Sequence, residues 1–351
     1  MELAFASVDA RSAVDRLLDA AVRRCASDIH LDADAAGYHV RLRVDGLLES
    51  HQRLDAAAGR ACVTRLMVLA QLLTYRLDIP QEGRLPHCGH EMRLAVMPTR
   101  HGLRAVVRLA AELTQPRTLV ELALGEAVTA GLQRFATADA GMLLLTGPAG
   151  SGKTTTIYAL LSHIVATQPG LSIVTLEDPV ERNLPGVTQI EVSPHGQLTY
   201  ERALRSIVRQ DPQVLMLGEI RDRATASIAV QAALSGHRLI ATLHAGSPAT
   251  AIARLLEMGI EPYQITSAVY GVVSQRLLRR SVAGGYSGRV PIAEMARMTE
   301  PLRRAVLGCA DAESLRQAID VSPGYVDLRR AAADLVQGGA TDEDEVRRVL
   351  G

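Results

Sequence analysis

Between residues 9 and 25 the chain reads DARSAVDRLLDAAVRRC, and Val14, Leu17, Leu18 and Val22 recur at helical spacing with charges between them. The period then changes. DIHLD, YHVRLRVDGLLES and HEMRLAVMPTRHGLRAVVRLA alternate apolar and polar residues as half-buried strands do, joined at Asp45-Gly46 and His101-Gly102. An alanine- and leucine-rich helix near residues 56–76 interrupts them, so residues 1–112 are expected to form a small α+β domain. In ELTQPRT, Pro116 disfavours helix on its N-terminal side, and residues 113–118 are expected to be a linker.

From residue 119 short apolar runs (MLLLTG, SIVTLE, QVLMLGE, RLIATLH) alternate with helical stretches, the signature of βαβ units around a parallel sheet buried on both faces. This α/β domain is expected to span residues 119–300. Residues 301–351 read as a helical C-terminal segment closing with ATDEDEVRRVL, where Thr341 and Asp344 have capping-box spacing.

Composition narrows the function classes. The 351 residues carry no net formal charge, no Trp and two Phe, which disfavours a nucleic-acid partner: there is no global basic field and few rings to stack on bases. Cys25, Cys62, Cys88 and Cys309 form no CxxC pair and suit reduced thiols. MELAFASVDA lacks the basic start and apolar stretch of a secretory signal, and no apolar run approaches the ~18 residues of a membrane span. A cytoplasmic protein that reaches a membrane only through partners is expected.

Of 38 basic side chains only Lys153 is a lysine. It lies in Gly147-Pro148-Ala149-Gly150-Ser151-Gly152-Lys153-Thr154, a GxxxxGK[ST] phosphate-binding loop between an expected strand and an expected helix, with Thr155 next in line. The glycines let successive N–H groups face one concavity, and the helix N-terminus adds partial positive charge. Lysine offers a compact point charge to the β- and γ-phosphates where a planar guanidinium fits poorly. Thr154 is positioned to ligate Mg²⁺. With no second lysine, the usual guanine-reading Asn-Lys-x-Asp element is excluded, which favours ATP.

Two further strand ends carry acids: Glu177 and Asp178 in IVTLEDPVE, and Glu219 and Asp222 in QVLMLGEIRD. Ligand crevices in open α/β sheets lie beyond the carboxyl ends of strands, so these groups are expected to converge on the nucleotide, one holding Mg²⁺ and one polarising water. His244 ends another such strand and is a candidate γ-phosphate sensor. HCGH at 87–90, with His101 nearby, reads as a polar hairpin rather than a metal site.

These residues resemble the secretion ATPases of type II secretion and type IV pilus systems. The resemblance runs through SDIHLD (27–32), VRLRVDG (40–46), the loop at 147–155, LEDPVE (176–181), LTYERALRSIVRQDPQVLMLGEIRD (198–222), SGHRLIATLHAGS (235–247), VVSQRLLRR (272–280) and GYSGRVPIAEM (285–295). It implies a PAS-like N-terminal domain joined flexibly to a RecA-like ATPase domain, assembled as a homo-hexamer and recruited to the inner membrane by a platform protein. It places Glu177 as water activator, Glu219 as the acid of an atypical Walker B with Gly218 at the usual aspartate position, and His237 and His244 in a His box. Arg93 and Arg108, with Arg84 more loosely aligned, are the implied N-terminal arginines that reach nucleotide. RRSVAGGYSGR lacks the tetracysteine element of many members, so no zinc is expected, and the extra N-terminal docking domain of assembly members is not expected either. The rival classes are a RecA-like DNA-handling motor, which needs a basic, aromatic-bearing channel, and a non-catalytic nucleotide-binding regulator, which has no use for the two glutamates.

Overall fold

A computed structural model describes residues 9–109, 118–192, 196 and 198–351. The chain divides into two compact units, residues 1–113 and 114–351. Residues 113–117 of the expected linker lie outside the described residues.

The first unit is a six-stranded antiparallel sheet with two helices: α1 (Ala10–Arg23), β1 (Asp28–Asp34), β2 (Gly37–Val44), β3 (Leu47–Leu54), α2 (Ala56–Leu69), β4 (Gln81–His87), β5 (His90–Thr99) and β6 (Gly102–Leu109), in sheet order β3-β2-β1-β6-β5-β4. Asp9 and Asp55 cap the two helices by accepting N–H groups of the first turn. Val14, Leu17 and Leu18 of α1 and Val63, Leu66 and Met67 of α2 share one core with Ile29, Leu31, Val40, Leu42, Leu94 and Val107, the alternate residues of the strands. Helix α2 stops at Leu69 rather than near residue 76. Gln71 turns left-handed at φ 58° and the Leu72 N–H returns to the Met67 carbonyl, closing the helix with a C-terminal cap. Strand β4, which alternation alone leaves unread, buries only Leu85 and contains Pro86. The second expected turn falls one residue earlier, since Thr99 pairs with Gly102.

The second unit contains α3 (Glu126–Ala136), β7 (Gly141–Thr146), α4 (Lys153–Thr167), β8 (Ile173–Glu177), β9 (Thr188–Glu191), α5 (Tyr200–Ile207), β10 (Val214–Leu217), α6 (Arg223–Leu234), β11 (Arg238–Leu243), α7 (Pro248–Glu257), α8 (Pro262–Ala268), β12 (Val269–Val282) and β13 (Gly285–Arg297). The sheet order is β13-β12-β7-β11-β10-β8-β9, parallel except for β13, which pairs antiparallel with β12. Strand β7 shows why the apolar runs are continuous. Met142 and Leu144 enter one core while Leu143 and Leu145 enter the other, so the sheet is covered on both faces.

Four helices follow: α9 (Glu300–Leu307), α10 (Ala312–Asp320), α11 (Leu328–Gln337) and α12 (Glu343–Leu350). The cap of α12 is shifted by one from the expected capping box: Asp342 accepts the Glu345 N–H, while buried Thr341 donates its hydroxyl to the Arg279 carbonyl on β12. That shift turns Glu345 inward. It is fully buried and accepts from the Arg279 backbone N–H (2.9 Å), Arg279 Nε (2.9 Å) and Arg348 Nε (2.7 Å). Burial pushes its carboxyl upward, but the Arg348 and Arg279 hydrogen bonds outweigh this and hold it at about 2, against an ordinary value of 4.5. A depressed folded value stabilises the fold above the ordinary value, and that contribution is lost as pH falls from about 4.5 toward 2. Glu345→Gln is therefore expected to lower the stability of this unit by roughly 2 kcal/mol near neutrality, a figure reduced for solvent screening at the two arginines. Urea midpoints of wild type and variant should converge as pH is lowered through that window.

Candidate functional site

Strand β7 delivers the chain to Gly147, and α4 starts at Lys153 with Gly152 as its N-cap. Gly147, Gly150 and Gly152 take φ values of 138°, 73° and 90°, angles that side chains resist, so Pro148, Ala149 and Ser151 sit in a loop only glycines can bend. At Gly147 space matters as well, since a Cβ there would lie 2.5 Å from the Gln275 carbonyl oxygen and 3.1 Å from Arg276 Nη1. Lys153 Nζ donates to the Gly147 and Pro148 carbonyls, each at 2.8 Å, and so rests on the rim of its own loop. Burial pulls the ammonium below its usual range, Glu219 opposes the shift and Arg276 reinforces it. Ser151 Oγ is buried without a hydrogen-bond partner among the described residues, and Thr154 and Thr155 stand half-buried in the first turn of α4. A buried hydroxyl, an ammonium partly stripped of water and a glycine-shaped cradle at a helix N-terminus fit a polyphosphate.

Glu219 follows β10 and is the acid that Lys153 feels. Its carboxylate accepts from Arg221 Nε at 2.6 Å and meets His244 Nε2 at 3.0 Å, while His244 itself is largely exposed just beyond β11. An ammonium, a carboxylate and a solvent-facing imidazole thus gather at the carboxyl ends of three neighbouring strands. Gly218 also receives a steric explanation. A Cβ there would meet the Tyr200 hydroxyl at 2.5 Å, so the tyrosine occupies the space in which an aspartate would stand.

Glu177 and Asp178 lie at the end of the neighbouring strand, where both, like Glu219, act on the Tyr200 phenol, while Asp222 and His237 have other partners. Glu177 ends β8, is only 3% exposed, and has its carboxylate held by the Tyr158 hydroxyl, Thr175 Oγ1 (2.5 Å) and Gln189 Nε2 (3.1 Å). Burial and that carboxylate push the Tyr158 phenol well above its ordinary value. Asp178 is exposed. Asp222 does not join the nucleotide acids: it caps α6, accepting the Thr225 N–H at 2.8 Å. His237 precedes β11 and contacts the Ala232 carbonyl at 2.9 Å, at the opposite end of the strand from His244.

In the first unit the strand register draws an arginine row. Arg84 on β4 pairs with Arg93 on β5, Arg93 with Arg108 on β6, Arg108 with Asp28 on β1, and Asp28 with Arg43 on β2. Arg84, Arg93 and Arg108 are exposed, while buried Asp28 accepts from Arg108 Nε at 3.1 Å and forms an ion pair with Arg43 at 3.3 Å. The loosely aligned Arg84 therefore shares a face with the other two. Cys88 and Gly89 form the β4–β5 turn, and His87 Nε2 meets Asp19 Oδ1 at 2.9 Å, so HCGH is a hairpin with its histidine tied to α1. The ligand atoms of Asp19, His87 and Cys88 lie within 4.8 Å of one another, one ligand short of a closed tetrahedral set.

Sequence reasoning missed Tyr158, Gln189, Gln275 and Arg276. The signal for the last two was the QR pair inside an apolar strand, a polar insertion that a buried strand tolerates only with partners.

The family described as type II/IV secretion system protein matches residues 7–348. The type II secretion system protein HxcR of Pseudomonas aeruginosa is 38% identical over 96% of this chain and 76% of its own length. The type II secretion system protein E of Xanthomonas campestris pv. campestris is 35% identical over 96% and 66%. The type IV pilus assembly ATPase PilB of Thermus thermophilus is 39% identical over 77% of this chain and 31% of its own. Among solved structures, the ADP-bound pilus retraction motor PilT superposes with a TM-score of 0.69 at 25% identity, covering 95% of this chain and 96% of that one. The Legionella pneumophila ATPase DotB, at 21% identity, reaches 0.76 over 96% and 95%, a likeness of fold alone.

Proposed function

The chain belongs to the type II/IV secretion system protein family, and from that premise we propose that it is an Mg²⁺-dependent ATP-hydrolysing motor of a type II secretion or type IV pilus apparatus. In this reading it converts hydrolysis into movement of its two units, driving pilin or pseudopilin assembly and protein export. One observation carries the proposal: the cradle at 147–155 presents Lys153 opposite Glu219, with His244 bonded to the same carboxylate.

The roles follow from position. The loop amides and Lys153 hold the phosphates, and Thr154 with Glu219 holds Mg²⁺, which supplies charge neutralisation on the transferring phosphoryl group. His244, on the solvent side of Glu219, senses the γ-phosphate. Glu177 activates water, which requires it to leave the Tyr158, Thr175 and Gln189 donors. The row of Arg93, Arg108 and Arg84 supplies planar donors for phosphate oxygens. The antiparallel first unit is read as PAS-like, the second as RecA-like with a helical C-terminal segment, and the working form as a homo-hexamer without structural zinc. Among the described residues no helix is long and apolar enough to cross a membrane, and a cytoplasmic ring recruited by an inner-membrane platform protein is consistent with that.

Metal removal tests this reading. EDTA is expected to abolish phosphate release from ATP, and added magnesium to restore it. Undiminished turnover in EDTA would contradict the magnesium assignment.

A further inference from the structure

Behind the phosphate loop, β12 carries a polar pair that the roles above leave unused. Gln275 is 3% exposed; its Oε1 accepts from Thr156 Oγ1 on α4 at 2.8 Å, and its Nε2 would lie 2.7 Å from a Cβ at Gly152. Next to it, Arg276 donates from Nη1 to the Gln275 carbonyl at 2.9 Å, the oxygen lying directly under Gly147, and reaches Ser274 Oγ at 3.5 Å. Its Nη2 donates at 2.7 Å to the carbonyl of Gly246, two residues beyond His244. One planar fork thus spans the base of the phosphate loop and the loop that follows the histidine.

Arg276 makes no direct salt bridge among the described residues, and Glu294 is the carboxylate whose charge it feels. Glu294, on the paired strand β13, lines the same cavity of about 350 Å³, and burial raises its carboxyl above the usual range while Tyr325 donates to it at 2.7 Å. The guanidinium is near enough to Lys153 to lower its proton affinity.

We propose that Arg276 is a positioning residue for hydrolysis: its guanidinium joins the loop after His244 to the base of the phosphate loop, fixing Lys153 and the Glu219–His244 pair in one arrangement. This rests on the ATPase reading given above. Misplacing reacting groups by about an ångström is sufficient to cost about 10²-fold in rate. A lysine cannot replace the fork, because a single ammonium lacks the two parallel donors set at a fixed angle.

The test compares the full chain with Lys153→Ala, Arg276→Ala, Arg276→Lys and Arg276→Met, the last retaining the apolar stem as a guard against loss of fold. Melting temperature, affinity for a fluorescent ADP analogue and ATP turnover are measured for each. The Arg276 variants should melt near wild type, keep nucleotide affinity within about threefold and lose about 10²-fold in kcat, with Lys no better than Met. Methylguanidinium should recover part of the turnover of Arg276→Ala and none in Lys153→Ala. Wild-type turnover in Arg276→Met, affinity falling in step with turnover, or no response to methylguanidinium would overturn the inference. Absence of hydrolysis by the wild type would instead remove the ATPase reading itself.

Discussion

Lys153→Ala is expected to abolish ATP hydrolysis, reducing turnover by at least about 10²–10³-fold, and to weaken nucleotide binding at the same time. The reasons are local. The ammonium is the sole lysine charge in the molecule, half-buried beside a glycine-bent loop at a helix N-terminus, and it rests on two carbonyls at 2.8 Å that a phosphate oxygen can outcompete. Lys153→Arg should fail nearly as badly, because Gly147 leaves no room behind it: Arg276 Nη1 and the Gln275 carbonyl already line that wall. Steady-state phosphate release, with melting temperature as the control for folding, checks both variants. Wild-type turnover in Lys153→Ala would contradict the role given to the loop.

Glu219→Gln carries the second large effect, and it should separate binding from chemistry. The amide keeps the shape of the side chain and can still contact Arg221 and His244, so nucleotide affinity should survive. What disappears is the negative charge that faces Lys153 and the proposed metal position, and turnover should fall by about 10²–10⁴-fold. Equilibrium binding of a fluorescent nucleotide beside single-turnover phosphate release resolves the two. If binding and turnover fell together, Glu219 would be a phosphate-site brace rather than part of the chemistry.

Much of the second unit was legible because its strands are covered on both faces. MLLLTG and QVLMLGE are continuous apolar runs, since successive residues of β7 and β10 enter opposite cores, and a run of that kind followed by glycine has few other readings. The glycine-bent turn at 147–152 was equally plain, as its residue types stand at fixed spacing between a strand and a helix. What escaped depended on partners far away in sequence. Asp222 reads as an active-site acid until its N-cap bond to Thr225 is seen, and Thr341 reads as a cap until β12 claims its hydroxyl. Glu177 is another case: position places it at a strand end beside the crevice, while Tyr158 and Gln189 decide where its carboxylate points. Arg84 was loosely aligned by sequence, and cross-strand register alone puts it on one face with Arg93 and Arg108. Gly218 looked like a missing aspartate, and the hydroxyl of Tyr200, eighteen positions earlier, accounts for it.

The central claim is that the 147–155 loop grips the triphosphate. A crystal structure of the full chain with magnesium and a non-hydrolysable ATP analogue tests it most directly. The account predicts β- and γ-phosphates against the loop amides, Lys153 Nζ moved off the Gly147 and Pro148 carbonyls onto phosphate oxygens, and Ser151 Oγ supplied with a partner. A triphosphate bound elsewhere, with Lys153 still on its two carbonyls, would contradict it.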